Sequence, residues 1–112
     1  MAAKRKKSTK TTKRAQDAGA FLESEFGPLT FGRAMSGIRS VEDATLAQFA
    51  KRLGVSAQHL SDVEKDRRGV SAQRAAEWAR ILRHPPAVLV RLALQREVDT
   101  AGLKLKVSVE AA

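Results

Sequence analysis

The side chains of this 112-residue sequence suit hydrogen bonding and charge recognition better than bond breaking. Cysteine is absent, so neither a disulfide nor a thiolate metal site can form, and His59 and His84 are too few to hold a metal without carboxylate help. No nucleophile beside a base and no Gly-rich phosphate loop is visible; Gly32 and Gly37 fall within a helical stripe, not in a loop after a strand. Neither catalysis, a metal nor a cofactor is expected. What remains is a short run of small and polar residues, Ser56, Ala57, Gln58, Ser61 and Asp62, interleaved with Leu60 and Val63 and followed by Lys65, Arg67 and Arg68. With Leu60 and Val63 turned inward, the polar and small positions are left on the outer face of a helix.

The elements that position this face are legible as stripes and caps. Phe49, Ala50 and Leu53 form one narrow apolar stripe, Gly54 supplies the permissive φ that ends that helix, and Ser56 can cap the next, Ala57 to Glu64. Two helices joined by a short turn containing glycine is a helix-turn-helix pattern. Thr30 is expected to cap a helix running to about Arg39 with Phe31, Met35 and Ile38 inward, and Thr45 to cap Leu46 to Leu53. Ser71 caps a fourth helix whose Ala75, Ala76, Trp78, Ala79, Ile81 and Leu82 read as a broad apolar face. Pro85-Pro86 ends it and opens a fifth, with Val88, Leu89, Leu92, Leu94 and Val98 apolar, that stops near Gly102.

Both ends differ from this helical body. Seven positive charges, Lys4, Arg5, Lys6, Lys7, Lys10, Lys13 and Arg14, precede the first acid, Asp17, and leave only +2 of the formal +9 to the rest of the chain. Residues 1–14 lack the apolar side chains that would offset ordering entropy and are expected to be a disordered basic tail. Two readings of it are open: a solubilising tail, or an arm that lies along phosphates and releases counterions. A short helical extension, residues 15–27, carries Phe21, Leu22 and Phe26 and is stopped by Gly27-Pro28. At the other end, Leu103, Leu105, Val107 and Val109 alternate with polar residues, the period of a half-buried strand. No second strand is visible, so residues 101–112 are expected to pair with the same strand of a second copy, with a frayed tail as the alternative.

Size and charge narrow the class. One domain and a tail fit, with no room for a second enzyme-sized unit. No apolar run approaches the roughly 18–20 residues of a membrane span and no signal-peptide core follows the basic residues, so a cytoplasmic, nucleoid-associated location is expected. An anionic polymer, nucleic acid ahead of membrane, is the expected partner.

From Thr30 to about Leu92 the sequence resembles the lambda-repressor-like, XRE-type helix-turn-helix family. The motif residues are Ile38-Arg39, Phe49 through Ser56, Leu60 through Arg68, and then Ser71, Ala75, Ala79 and Leu82. The resemblance implies an all-α, five-helix domain over residues 28–100 that binds double-stranded operator DNA with helix 57–64 in the major groove. It places Ser56, Ala57, Gln58, Ser61 and Asp62 at the bases; Gln58 could read adenine through its amide, Ala57 could touch a thymine methyl, and Asp62 could accept from cytosine or hold a neighbouring arginine. Thr45, His59, Lys65, Arg67 and Arg68 are implied as phosphate contacts; His59 could equally be a solvated surface histidine, and a solvated charged loop is the lesser alternative for Lys65, Arg67 and Arg68. Arg39 and Glu64 are implied as a structural ion pair. Two positions depart from the pattern: Leu46 stands where members carry a phosphate-binding Gln, and Asp66 where they carry Gly.

The expected function is sequence-specific DNA binding as a dimeric transcriptional repressor. The alternative is a DNA-associated interaction module, antitoxin-like or a mobile-element accessory protein, that binds a protein partner such as a toxin through its C-terminal strand.

Overall fold

A computed structural model describes residues 29–112. The basic arm, Lys4 to Arg14, and the short helical extension at 15–27 lie outside the described residues. Five helices follow in this part of the chain: α1 (Phe31–Val41), α2 (Leu46–Leu53), α3 (Ala57–Glu64), α4 (Ala72–Leu82) and α5 (Pro86–Thr100). Four of them start on a hydroxyl that accepts a backbone N–H of the first turn. Thr30 accepts from Arg33, Thr45 from Gln48, Ser56 from His59 and Ser71 from Arg74. At α2 the cap is reciprocal, because the Gln48 side chain accepts the Thr45 backbone N–H at 2.9 Å. α5 begins on Pro86 instead, whose missing N–H costs nothing in a first turn.

Each helix contributes one stripe to a single core. Phe31 and Met35 of α1, Phe49 and Leu53 of α2, and Leu60 and Val63 of α3 are buried together with Trp78, Leu82, Leu89 and Leu92 from α4 and α5. Trp78 lies at the centre, its ring centroid 6.2 Å from that of Phe31. α1 and α2 both pack on α3, so the short helix 57–64 is held from two sides, while α4 packs along α5. The α4 and α5 faces are narrower than the sequence reading made them. Ala75, Trp78, Ala79 and Leu82 keep the i, i+3, i+4, i+7 spacing and are buried, whereas Ile81 falls off that stripe and is 44% exposed, as is Val88 at 45%.

The expected C-terminal β-strand is not there: residues 103–112 contain no regular element. A strand is completed by a neighbouring backbone, and no second one exists in the described chain. A side chain takes its place. Gln95 of α5 donates through Nε2 to the Leu105 carbonyl at 2.9 Å and accepts the Val107 N–H through Oε1 at 2.8 Å. This pins the segment against the helix, with Val107 and Val109 half-buried and Leu103 and Leu105 exposed.

Two residues bring α1 onto the end of α3. Gly32 is buried where a Cβ would stand 2.4 Å from the Val63 carbonyl oxygen and 2.8 Å from that of Glu64, so a side chain at this position would push the two helices apart. Asp66 keeps the left-handed backbone of the glycine it replaces, with φ of +57°. Its carboxylate accepts the Thr30 hydroxyl at 2.8 Å and the Gly32 N–H at 3.1 Å, which makes it a second cap on α1.

Candidate nucleic-acid interface

The outer face of α3 is where the polar and small residues collect. Ser56, Ala57 and Gln58 are exposed, Ser61 and Asp62 half-buried, and Leu60 and Val63 fully turned into the core. The Ser56 hydroxyl accepts the His59 N–H at 3.0 Å, which leaves its O–H and one lone pair for a bound partner. Asp62 is the hub of this surface. Its Oδ1 accepts from Gln58 Nε2 at 3.0 Å and from Arg67 Nη2 at 2.9 Å and Nε at 3.3 Å. The guanidinium of Arg67 above all holds the Asp62 carboxyl below the ordinary carboxylate range, opposed by partial desolvation.

Arg67 reaches back to α3 because the chain reverses at Asp66. The Arg67 backbone N–H donates to the Asp62 carbonyl at 2.8 Å in the same turn. Lys65, Arg67 and Arg68 are exposed beside the end of the helix. Sequence reading missed a further cation, Arg74 in the first turn of α4, which together with Arg68 acts electrostatically on His59. Its position three residues after the Ser71 cap was the available signal. His59 itself is half-buried, with its ring centroid 6.5 Å from that of Trp78. Burial first, then Arg68 and Arg74, lower its pKa below the ordinary 6.5, which favours the neutral ring at neutral pH.

The rigid base of this face is an ion pair. Arg39 Nε and Nη2 donate to the two carboxylate oxygens of Glu64 at 2.8 and 3.0 Å, and Nη1 donates to the Ala44 carbonyl at 3.1 Å. One guanidinium thus ties α1, the α1–α2 turn and the last residue of α3. On α2, Arg52 pairs with Glu42 and lies over the Phe49 ring at 5.6 Å. Thr45 is exposed at the start of that helix, with its oxygen committed to the cap. Leu46 is half-buried and packs on the core, which explains an apolar residue there.

The arrangement sets exposed cations beside hydrogen-bonding side chains on one surface, which suits a polyanionic partner. Among the described residues no group of three or more His, Asp or Glu could hold a metal ion, and no helix is long and apolar enough to cross a membrane. Residues 45–89 match the family described as Helix-turn-helix, a span that runs from the α2 cap through α3 and α4 into α5. No curated protein and no solved structure matches the chain. The match over residues 45–89 supports an XRE-like helix-turn-helix DNA-binding domain there, of the kind used in transcription regulation.

Proposed function

We propose that the protein is a sequence-specific, dimeric transcriptional repressor that sets α3 in the major groove of double-stranded DNA. The observation that carries this reading is the outward face of α3: Ala57, Gln58, Ser61 and Asp62 beside Lys65, Arg67 and Arg68, on a helix buried along its other side. Ser56, Ala57, Gln58, Ser61 and Asp62 face the bases, and Thr45, His59, Lys65, Arg67 and Arg68 the phosphates. A base-reading helix needs such a division, because phosphate contacts fix register while base edges carry sequence. The basic arm, Lys4 to Arg14, adds contacts of the first kind only.

A second copy would double the readout. Two half-sites about one helical turn apart follow from two-fold symmetry, and the C-terminal residues Leu103, Leu105, Val107 and Val109 are the proposed contact between copies. The 50% and 61% exposure of Leu103 and Leu105 supports that role. The same apolar pair supports the competing reading, an interaction module that binds DNA without sequence preference and recruits another protein.

Titration of the full chain against a site enriched from random duplexes and against a random duplex separates the two. The repressor reading expects a ratio of about a thousandfold or more at physiological salt. Equal affinities would overturn it.

A further inference from the structure

The contact between Gln58 and Asp62 has a chemical direction. An ionised carboxylate can only accept hydrogen bonds, so the end of the Gln58 amide that meets Asp62 Oδ1 at 3.0 Å must be the nitrogen. Four residues apart on α3, the two side chains are neighbours on one face. Asp62 cannot swing away from this contact freely, because Arg67 grips the same oxygen through Nη2 and Nε, and its own backbone N–H is bonded to the Asp62 carbonyl. The amide of Gln58 is thereby held with Oε1 turned away from Asp62 and one N–H still unspent. Reversing it would set oxygen against oxygen.

We propose that Asp62 is the positioning residue that makes Gln58 an adenine reader: the carboxylate, braced by Arg67, locks the amide so that it offers one acceptor and one donor. This rests on the reading of α3 as the base-facing helix. Adenine presents one donor and one acceptor in the major groove, N6–H and N7, and matches that pair. Guanine presents two acceptors, N7 and O6, and would face Oε1 with one of them. An unlocked glutamine could turn its NH₂ group toward guanine; the locked one cannot without breaking the Asp62 contact. The carboxylate at this position therefore serves discrimination. Its charge is shared with Arg67 and is not presented bare to the phosphates.

The test uses the full chain and a selection from random duplexes, followed by titration of the enriched site and its adenine-to-guanine variants. The wild type is expected to enrich a site with an adenine whose replacement by guanine is penalised, and Gln58→Ala to abolish that penalty. Asp62→Leu is close to isosteric and carries no hydrogen-bonding atom, so it leaves the Gln58 amide free to turn either end outward, whereas an Asn would still be held with its oxygen toward Gln58 by Arg67. The Asp62→Leu variant is expected to reduce the adenine-over-guanine preference about tenfold at that one base pair, with the thermal midpoint measured alongside to show an intact fold. Asp62→Glu, still acceptor-only, is expected to keep the preference within about twofold by the same logic. In a Gln58→Ala background Asp62→Leu should add nothing at that base pair.

Failure of the wild type to enrich any site would overturn the base-reading role of α3 itself. A wild type that enriches a site while Asp62→Leu leaves the preference unchanged would overturn the positioning role alone. A loss spread evenly over all base pairs in Asp62→Leu would also overturn it, since that is the signature of a structural or electrostatic effect.

Discussion

Replacing Glu64 with Gln should be among the most costly single-atom changes available to this domain. The Glu64 side chain is 8% exposed and accepts two hydrogen bonds from Arg39, whose own side chain is 26% exposed. Gln offers one acceptor and one N–H, so one of the two Arg39 donors loses its partner and meets another donor. Loss of one partner from a buried pair costs about 3–5 kcal/mol, and a charged hydrogen bond about 1.5–3 kcal/mol. Because a quarter of Arg39 is still in contact with water, the lower part of that span applies, about 2–3 kcal/mol. In a domain of this size each kcal/mol moves the midpoint by roughly 4–8 °C, so thermal unfolding followed by circular dichroism should show a drop of roughly 10–20 °C. Arg39→Met should restore part of it in the double variant, because the stranded cation is then gone. A shift under about 3 °C for Glu64→Gln, or strict additivity in the double variant, would refute the view that this pair holds α3 to α1.

Three further outcomes are expected. Asp66→Ala should cost about 1–2 kcal/mol for the lost cap on α1, while Asp66→Gly loses the same cap but relieves the positive φ that Asp66 already carries and should cost roughly half as much; urea midpoints compare them, and equal losses would mean the backbone conformation contributes nothing. For His59, a pKa lowered in the folded state means that protons favour the unfolded chain, so its contribution to stability is complete above the ordinary 6.5 and is lost as pH falls through the lower folded value. Imidazole NMR should give a midpoint below 6.5 in the free protein that rises when duplex DNA is added, and a free-protein midpoint at or above 6.5 would contradict the burial and the Arg68 and Arg74 fields. Deleting residues 1–14 should weaken binding to all duplexes alike and flatten the salt dependence by several units of slope; an unchanged slope would return the arm to a solubilising role.

What the sequence determined by itself is local. Thr30, Thr45, Ser56 and Ser71 each sit directly before a helical stripe, and a hydroxyl that caps its own helix needs nothing more than three residues of chain. Gly54, with φ of +76°, ends α2 for an equally local reason. The stripes of α1 to α3 follow from a period the sequence displays, and the helix-turn-helix spacing with them. What only the tertiary structure decided involves groups distant in the chain or a choice among partners. Alternation at 103–109 reads as a strand, but a strand is a relation between two backbones; with no second one among the described residues the Gln95 amide took the position, and no period in the sequence could announce it. Asp66 looked like a lost glycine, yet its carboxylate reaches the start of α1, 36 positions away at Thr30. Ile81 and Val88 are apolar and outside, because burial depends on which side the neighbouring helix occupies. Gln58 and Asp62 are neighbours by helical spacing alone, but the reversal at Asp66 is what returns Arg67 to brace them. Spacing along the chain fixes which side chains can meet within one helix; only the packing of helices and turns settles which of them do meet across it.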